Sequence, residues 1–164
     1  MILPKVRDPR FVTIRRGGTL TDGDHQLLAL WAATCAEHVL ELFESVRPDD
    51  RRPREAIAHV RAWVRGEVRM MQSRATAGHA MGAARDLRGA PRFAAYAIKA
   101  VRAAAEPGQE EAAGRRECRW QREQLPEPIR ELVLDDQRLR NELCWSVFDW
   151  PALHISNRSS ILDG

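Results

Sequence analysis

The stretch from Leu27 to Val68, LLALWAATCAEHVLELFESVRPDDRRPREAIAHVRAWVRGEV, constrains the fold more than any other part of the chain. Over residues 25–46, Leu27, Leu28, Trp31, Cys35, Val39, Leu42, Phe43 and Val46 recur at helical spacing and gather on one face. Glu37, Glu41 and Glu44 gather nearly opposite. Such a helix must bury its apolar side against a neighbour. The loop RPDDRRP follows, with Asp49 and Asp50 as capping candidates and Pro53 near the first helical position, where its missing N–H costs nothing. From Pro53 to Met71 the spacing predicts a second helix. Its apolar face carries Ala56, Ile57, Val60, Trp63, Val64, Val68 and Met71, flanked by a stripe of Arg54, Arg61, Arg65 and Arg69.

The remaining segments repeat this pattern. Phe11–Ile14 (FVTI) is β-branched and aromatic, which predicts a short extended stretch in an N-terminal arm over 1–20; Gly17-Gly18 ends it, and Thr21 with Asp22 offers an N-cap. GHAMGAARDL predicts a third helix, with Gly78 and Gly82 four apart where a neighbour could approach closely, and Gly89 as its stop. Pro91 opens a fourth helix, Pro107 a fifth reaching about Glu123, Ile129–Leu134 a short sixth, and Asp135 or Asp136 caps a seventh running through Val147. After Asp149 the periodicity is lost, which predicts a partly ordered tail over 150–164. With strand signals nearly absent and loops short, the expected class is all-α: a single-domain antiparallel bundle of about six to seven helices over 21–149.

Composition narrows the function classes. No apolar run approaches the ~20 residues that span a bilayer, and the N-terminus lacks the apolar core of a secretory signal, so a cytoplasmic protein is expected. Cys35, Cys118 and Cys144 are odd in number and far apart, suiting reduced thiols. The net charge of +3 conceals blocks: +4 over 1–20, −5 over 21–46, +6 over 47–92 and −2 over 93–164. Different helices should therefore show different signs to solvent.

Candidate chemistry is sparse. His38 lies at the edge of the first apolar face, and Glu67 falls within the second. A buried carboxylate needs a partner, which His38, His79 or an arginine could supply. His38, Glu67 and His79 are thus a candidate buried polar cluster, either an acid–base pair in a pocket between the first two helices or a structural bond tying helices together. With no nucleophile beside the pair, the structural reading is preferred. Cys35 and His38 form C-x-x-H, but two further ligands at metal spacing are missing, and no C-x-x-C, G-x-G-x-x-G or P-loop occurs. No metal, cofactor or catalytic set is expected. The pairs Asp135-Asp136 and Glu110-Glu111 diverge on a helix, so capping and solvation explain them. The stripe Arg54, Arg61, Arg65 and Arg69 could track phosphates in a nucleic-acid-associated protein, or could be a solvated flank whose stems cover the core. An acidic helix beside it and the low net charge favour the flank.

Several stretches resemble a known family: FVTIRRGGTLTD, LLALWAATCAEHVLELFE, PDDRRPREAIAHVRAWVRGEV, FAAYAIKAVRAA and RRECRWQREQLPEPIRELVL. Together they are similar to the immunity-five-like group of small helical immunity proteins from bacterial polymorphic-toxin systems. The most specific pieces are LALWAA-x-CAEHVL-x-LFE and RPR-x-AI-x-x-x-RAW-x-RGE. The resemblance implies a cytoplasmic, non-catalytic protein that binds and occludes a cognate toxin, which it does not identify. On that reading the ridge Glu37, Glu41 and Glu44 would be a docking surface for a basic toxin, where otherwise it is only solvated.

Overall fold

A computed structural model describes residues 8–93 and 96–143. Among these the fold is all-α: α1 (Asp22–His38), α2 (Glu41–Glu44), α3 (Arg52–Val64), α4 (Met70–Ala83), α5 (Ala97–Ala104), α6 (Glu110–Glu123) and α7 (Glu127–Leu143). The tail over 150–164 and the end of the predicted seventh helix at Val147 lie outside the described residues. In the arm, Val12 and Thr13 are extended and an isolated bridge joins Thr13 to Leu20, while Phe11 and Ile14 on either side belong to 3-10 turns at Pro9–Phe11 and Ile14–Arg16. Gly18 is required there, because a Cβ at that position would overlap the Val12 carbonyl oxygen. Thr21 caps α1 as the sequence indicates, its Oγ1 accepting from the Asp24 N–H at 3.0 Å.

Several predicted boundaries move: at Pro91 the chain makes a 3-10 turn over Ala90–Phe93, and α5 starts only at Ala97. The first helix does not run to Val46. At Val39 and Leu40 the chain turns through three-residue hydrogen bonds, Val39 N–H to Ala36 O and Leu40 N–H to Glu37 O, before α2 begins. The turn drives Val39, Leu40 and Phe43 inward together, and Phe43 is fully buried against Ala83, Ala84 and Leu87. Burying a phenylalanine contributes about 1.5–3 kcal/mol, enough to offset the helical hydrogen bonds interrupted at the turn.

The second helix stops at Val64 instead of continuing to Met71. Gly66 takes φ +79° and donates to Trp63 O at 2.9 Å, while Glu67 N–H reaches Ala62 O at 2.9 Å. This paired closure needs a left-handed residue, which only glycine adopts without a Cβ penalty. α4 therefore begins at Met70, well before GHAMGAARDL, with the Gln72 Oε1 accepting from the Arg69 N–H at 2.8 Å. The predicted sixth and seventh helices are one continuous helix, α7.

The predicted close approach at Gly78 and Gly82 is not seen among the described residues, where nothing lies within 4 Å of a Cβ built at either. The close approach occurs at Gly114 on α6, where a Cβ would meet the Arg102 stem of α5 at 2.9 Å.

Packing follows the chain order. α3 lies on α4, α5 on α6, and α1 touches α3, α5 and α7. The Ser73 hydroxyl donates to His59 O at 2.8 Å across the α3–α4 pair. Glu55 and Arg52, at the start of α3, face His79 and Gly82 near the end of α4, so the two helices run antiparallel. One apolar cluster joins Ala33 and Leu40 to Ile57, with Ala36 and Val60 against it. Another sets Leu125, Ile129 and Val133 against Leu27, Leu28 and Trp31. The Trp31 indole N–H, which must find an acceptor when buried, donates to Gln121 O at 2.7 Å.

Candidate functional site

The acidic ridge of α1–α2 and the arginine stripe of α3 close on each other. Arg61 grips Glu37 with two nitrogens, at 2.8 and 2.5 Å, and Arg54 grips Glu44 in the same way at the same distances. Both are bidentate guanidinium–carboxylate forks, the geometry in which arginine binds a carboxylate best. The Arg61 bond and charge hold the Glu37 carboxyl below its ordinary range. Two helices that read in sequence as separate charged surfaces thus form one neutralised seam. Glu41 remains exposed beside it.

The end of the stripe behaves differently. Arg65 turns to Glu67, at 2.6 and 2.8 Å, and lowers that carboxyl through the hydrogen bond. Both side chains are more than half exposed. Arg69 is also exposed, and its backbone opens α4. The predicted cluster of His38, Glu67 and His79 therefore does not form. Glu67 leaves the apolar face because Gly66 ends α3 before it, and His79 is exposed on α4.

His38 does have a buried carboxylate partner, on the helix expected after Pro107. Its Nδ1 lies 3.0 Å from Oε2 of Glu117 on α6, whose side chain is only 3 % exposed. Oε1 of Glu117 accepts from the Gln121 side-chain amide at 2.8 Å. The imidazole stacks on Trp120, with centroids 3.6 Å apart and planes 14° from parallel. Both carboxylate oxygens are thus engaged, which is what a buried charge requires.

Glu117 was hidden because α6 reads EEAAGRRECRWQRE, a helix with so few apolar residues that its inward face looks like any other. Only the structure reveals its inward face, where Ala113, Gly114, Glu117, Cys118 and Gln121 are all buried at helical spacing.

The chemistry open to this cluster is limited. A carboxylate behind an imidazole can orient a base, but the Cys35 thiol, which feels the Glu117 charge, is pushed up to about 12 by burial first and by that charge second. A thiol at that value is neutral near pH 7 and a poor nucleophile. Among the described residues, no group of three or more His, Cys, Asp or Glu is placed to hold a metal ion. No helix among them is long and apolar enough to cross a membrane. The His38–Glu117 pair does tie α1 to α6, as a structural polar bond would.

Residues 18–91 match the model of a family described as Imm-5 like putative immunity protein, so the resemblance read from the sequence holds over the arm's end, α1 to α4 and the charged seam. No curated protein and no solved structure matches the chain.

Proposed function

From the family match over residues 18–91 we propose that this chain is a cytoplasmic immunity protein of a polymorphic-toxin system, which binds a cognate toxin and blocks it by occlusion, without catalysis. The match is the observation that carries the reading. The geometry is consistent with it: the buried polar groups are spent on holding helices together. The mechanism is burial of a toxin surface of ordinary interface size, roughly 1,200–2,000 Å² in total. Occlusion of that kind needs a rigid face, which the forked Glu37–Arg61 and Glu44–Arg54 pairs help to provide between α1, α2 and α3.

A nucleic-acid role would need the arginine stripe free to meet phosphates. Arg54, Arg61 and Arg65 are each held by a carboxylate, so that reading has less support than the binding protein. The acidic ridge loses its simplest docking role for the same reason, since Glu37 and Glu44 would have to exchange an internal arginine for one on the toxin.

The test is a growth-rescue assay with the toxin domain encoded beside this chain, paired with a pull-down of the two purified proteins. Rescue with a stable complex supports the proposal. No complex and no rescue ends it.

A further inference from the structure

A groove of about 740 Å³ runs between the N-terminal arm and helices α1, α3 and α4. Val60, Trp63, Met70 and Ala77 form its apolar wall, and the Trp63 ring meets His25 edge-on with centroids 5.1 Å apart. Arg15, Arg16 and Arg74 also line it, against a single carboxylate, Asp22, which Arg15 already holds at 2.9 Å. Arg16 and Arg74 are exposed and make no ion pair among the described residues. This is the reverse of the seam on α1–α3, where the arginines are matched by carboxylates.

We propose that this groove is the docking surface for the toxin, and that it receives a segment carrying apolar side chains flanked by aspartate or glutamate. The inference rests on the immunity reading above and adds the surface and the chemistry of the partner. Tryptophan, methionine and arginine are the residue types that concentrate at protein interfaces, and here all three line one concavity. Met70, which opens α4 and lines the groove, is 38 % exposed; a flexible thioether adapts to a partner's side chains. The excess of guanidinium groups supplies the charge complementarity. Acidic side chains on the incoming segment would find Arg16 and Arg74 at the rim, and the apolar ones would cover Trp63 and Met70. Nucleic acid fits less well, because a phosphate backbone gains nothing from an apolar wall, whereas a protein segment uses both features.

The experiment measures the affinity of the full chain for the toxin domain encoded beside it, by titration calorimetry at low and moderate salt. An Arg16→Glu/Arg74→Glu variant is compared with the charge-matched control Arg88→Glu/Arg116→Glu. All four positions are exposed, so folding should survive, and circular dichroism checks it. The groove variant is expected to bind at least about tenfold more weakly than the control, with a reduced salt dependence. Amide exchange over 11–22 and 70–77 should slow in the wild-type complex. Equal affinities for the two variants, with exchange unchanged in the groove, overturn the docking surface and leave the immunity reading standing. Absence of any complex with the wild-type chain overturns both. Binding of a duplex DNA probe at low salt that the groove variant alone loses would assign the groove to nucleic acid instead.

Discussion

Arg61 of α3 and Glu37 of α1 face each other through a two-nitrogen fork, with the arginine side chain 37 % and the glutamate 44 % exposed. The pair is half in water, so its Coulomb energy is screened, and ordering two long side chains costs entropy. A double-mutant cycle with Arg61→Ala and Glu37→Ala should give a coupling energy of about 0.2–1 kcal/mol that shrinks in high salt. A coupling near zero at every salt concentration would mean the fork contributes no stability in solution.

The low carboxyl values on this surface carry a pH signature. Glu37, held down chiefly by the Arg61 hydrogen bond, and Asp50, held down chiefly by Arg52, both ionise more readily folded than unfolded. Groups shifted this way leave the folded state with fewer bound protons, so stability rises with pH across the carboxylate range. Their contribution is fully present above their ordinary values, 4.5 and 3.8, and is lost as pH falls through the depressed folded values. Urea midpoints should therefore hold steady above about pH 5 and decline below it. The decline should be smaller in Glu37→Gln. An identical acid limb in that variant would rule out Glu37 as a contributor.

Glu117 should matter more than any of the surface pairs. Replacing it with alanine strips the acceptor from the buried Gln121 amide and the partner from His38. We expect a loss on the order of 2–4 kcal/mol by urea denaturation. Glu117→Gln, which keeps an acceptor oxygen, should lose less. A loss below about 0.5 kcal/mol for Glu117→Ala would show that the carboxylate does not bind α6 to α1.

Glycine substitutions test the corrected packing. Gly78 and Gly82 lie within α4 with open space where a Cβ would go, so Gly78→Ala and Gly82→Ala should each stabilise by roughly 0.5–1 kcal/mol. Gly114→Ala should not, because the Arg102 stem stands 2.9 Å from the added carbon. Thermal midpoints of the three variants measure this. Destabilisation at Gly78 or Gly82 would point to a neighbouring surface there.

The contrast among these sites shows what the sequence made legible. Apolar faces were readable wherever helical spacing and burial agreed, as for Leu27, Leu28 and Trp31, which do pack on α7, and for Ile57 and Val60, which pack on α1. Breaks inside a continuing apolar pattern were not. Val39 and Phe43 stay inward across the backbone turn, but the turn also buries Leu40, which a straight helix left off its apolar face, and leaves Val46 52 % exposed. Gly66 was the visible mark of the second break, yet the apolar residues Val68 and Met71 beyond it extended the wheel and carried Glu67 onto the wrong face. The charged residues were identified by type but not by partner. Pairings such as Arg61 with Glu37 depend on how two helices face each other, which the pattern of one helix does not contain. Glu117 was the extreme case, a buried carboxylate on a helix whose composition reads as solvated throughout.

The proposed function requires that this chain occupy its partner rather than transform it. The most direct measurement is a titration of a fixed amount of active toxin with increasing amounts of this protein, following residual toxin activity at several incubation times. A stoichiometric occluder predicts activity that falls in proportion to the protein added, reaches its end point at a fixed molar ratio and does not change with longer incubation. Loss of toxin activity at far less than one equivalent, deepening with time, would contradict the account and identify turnover instead.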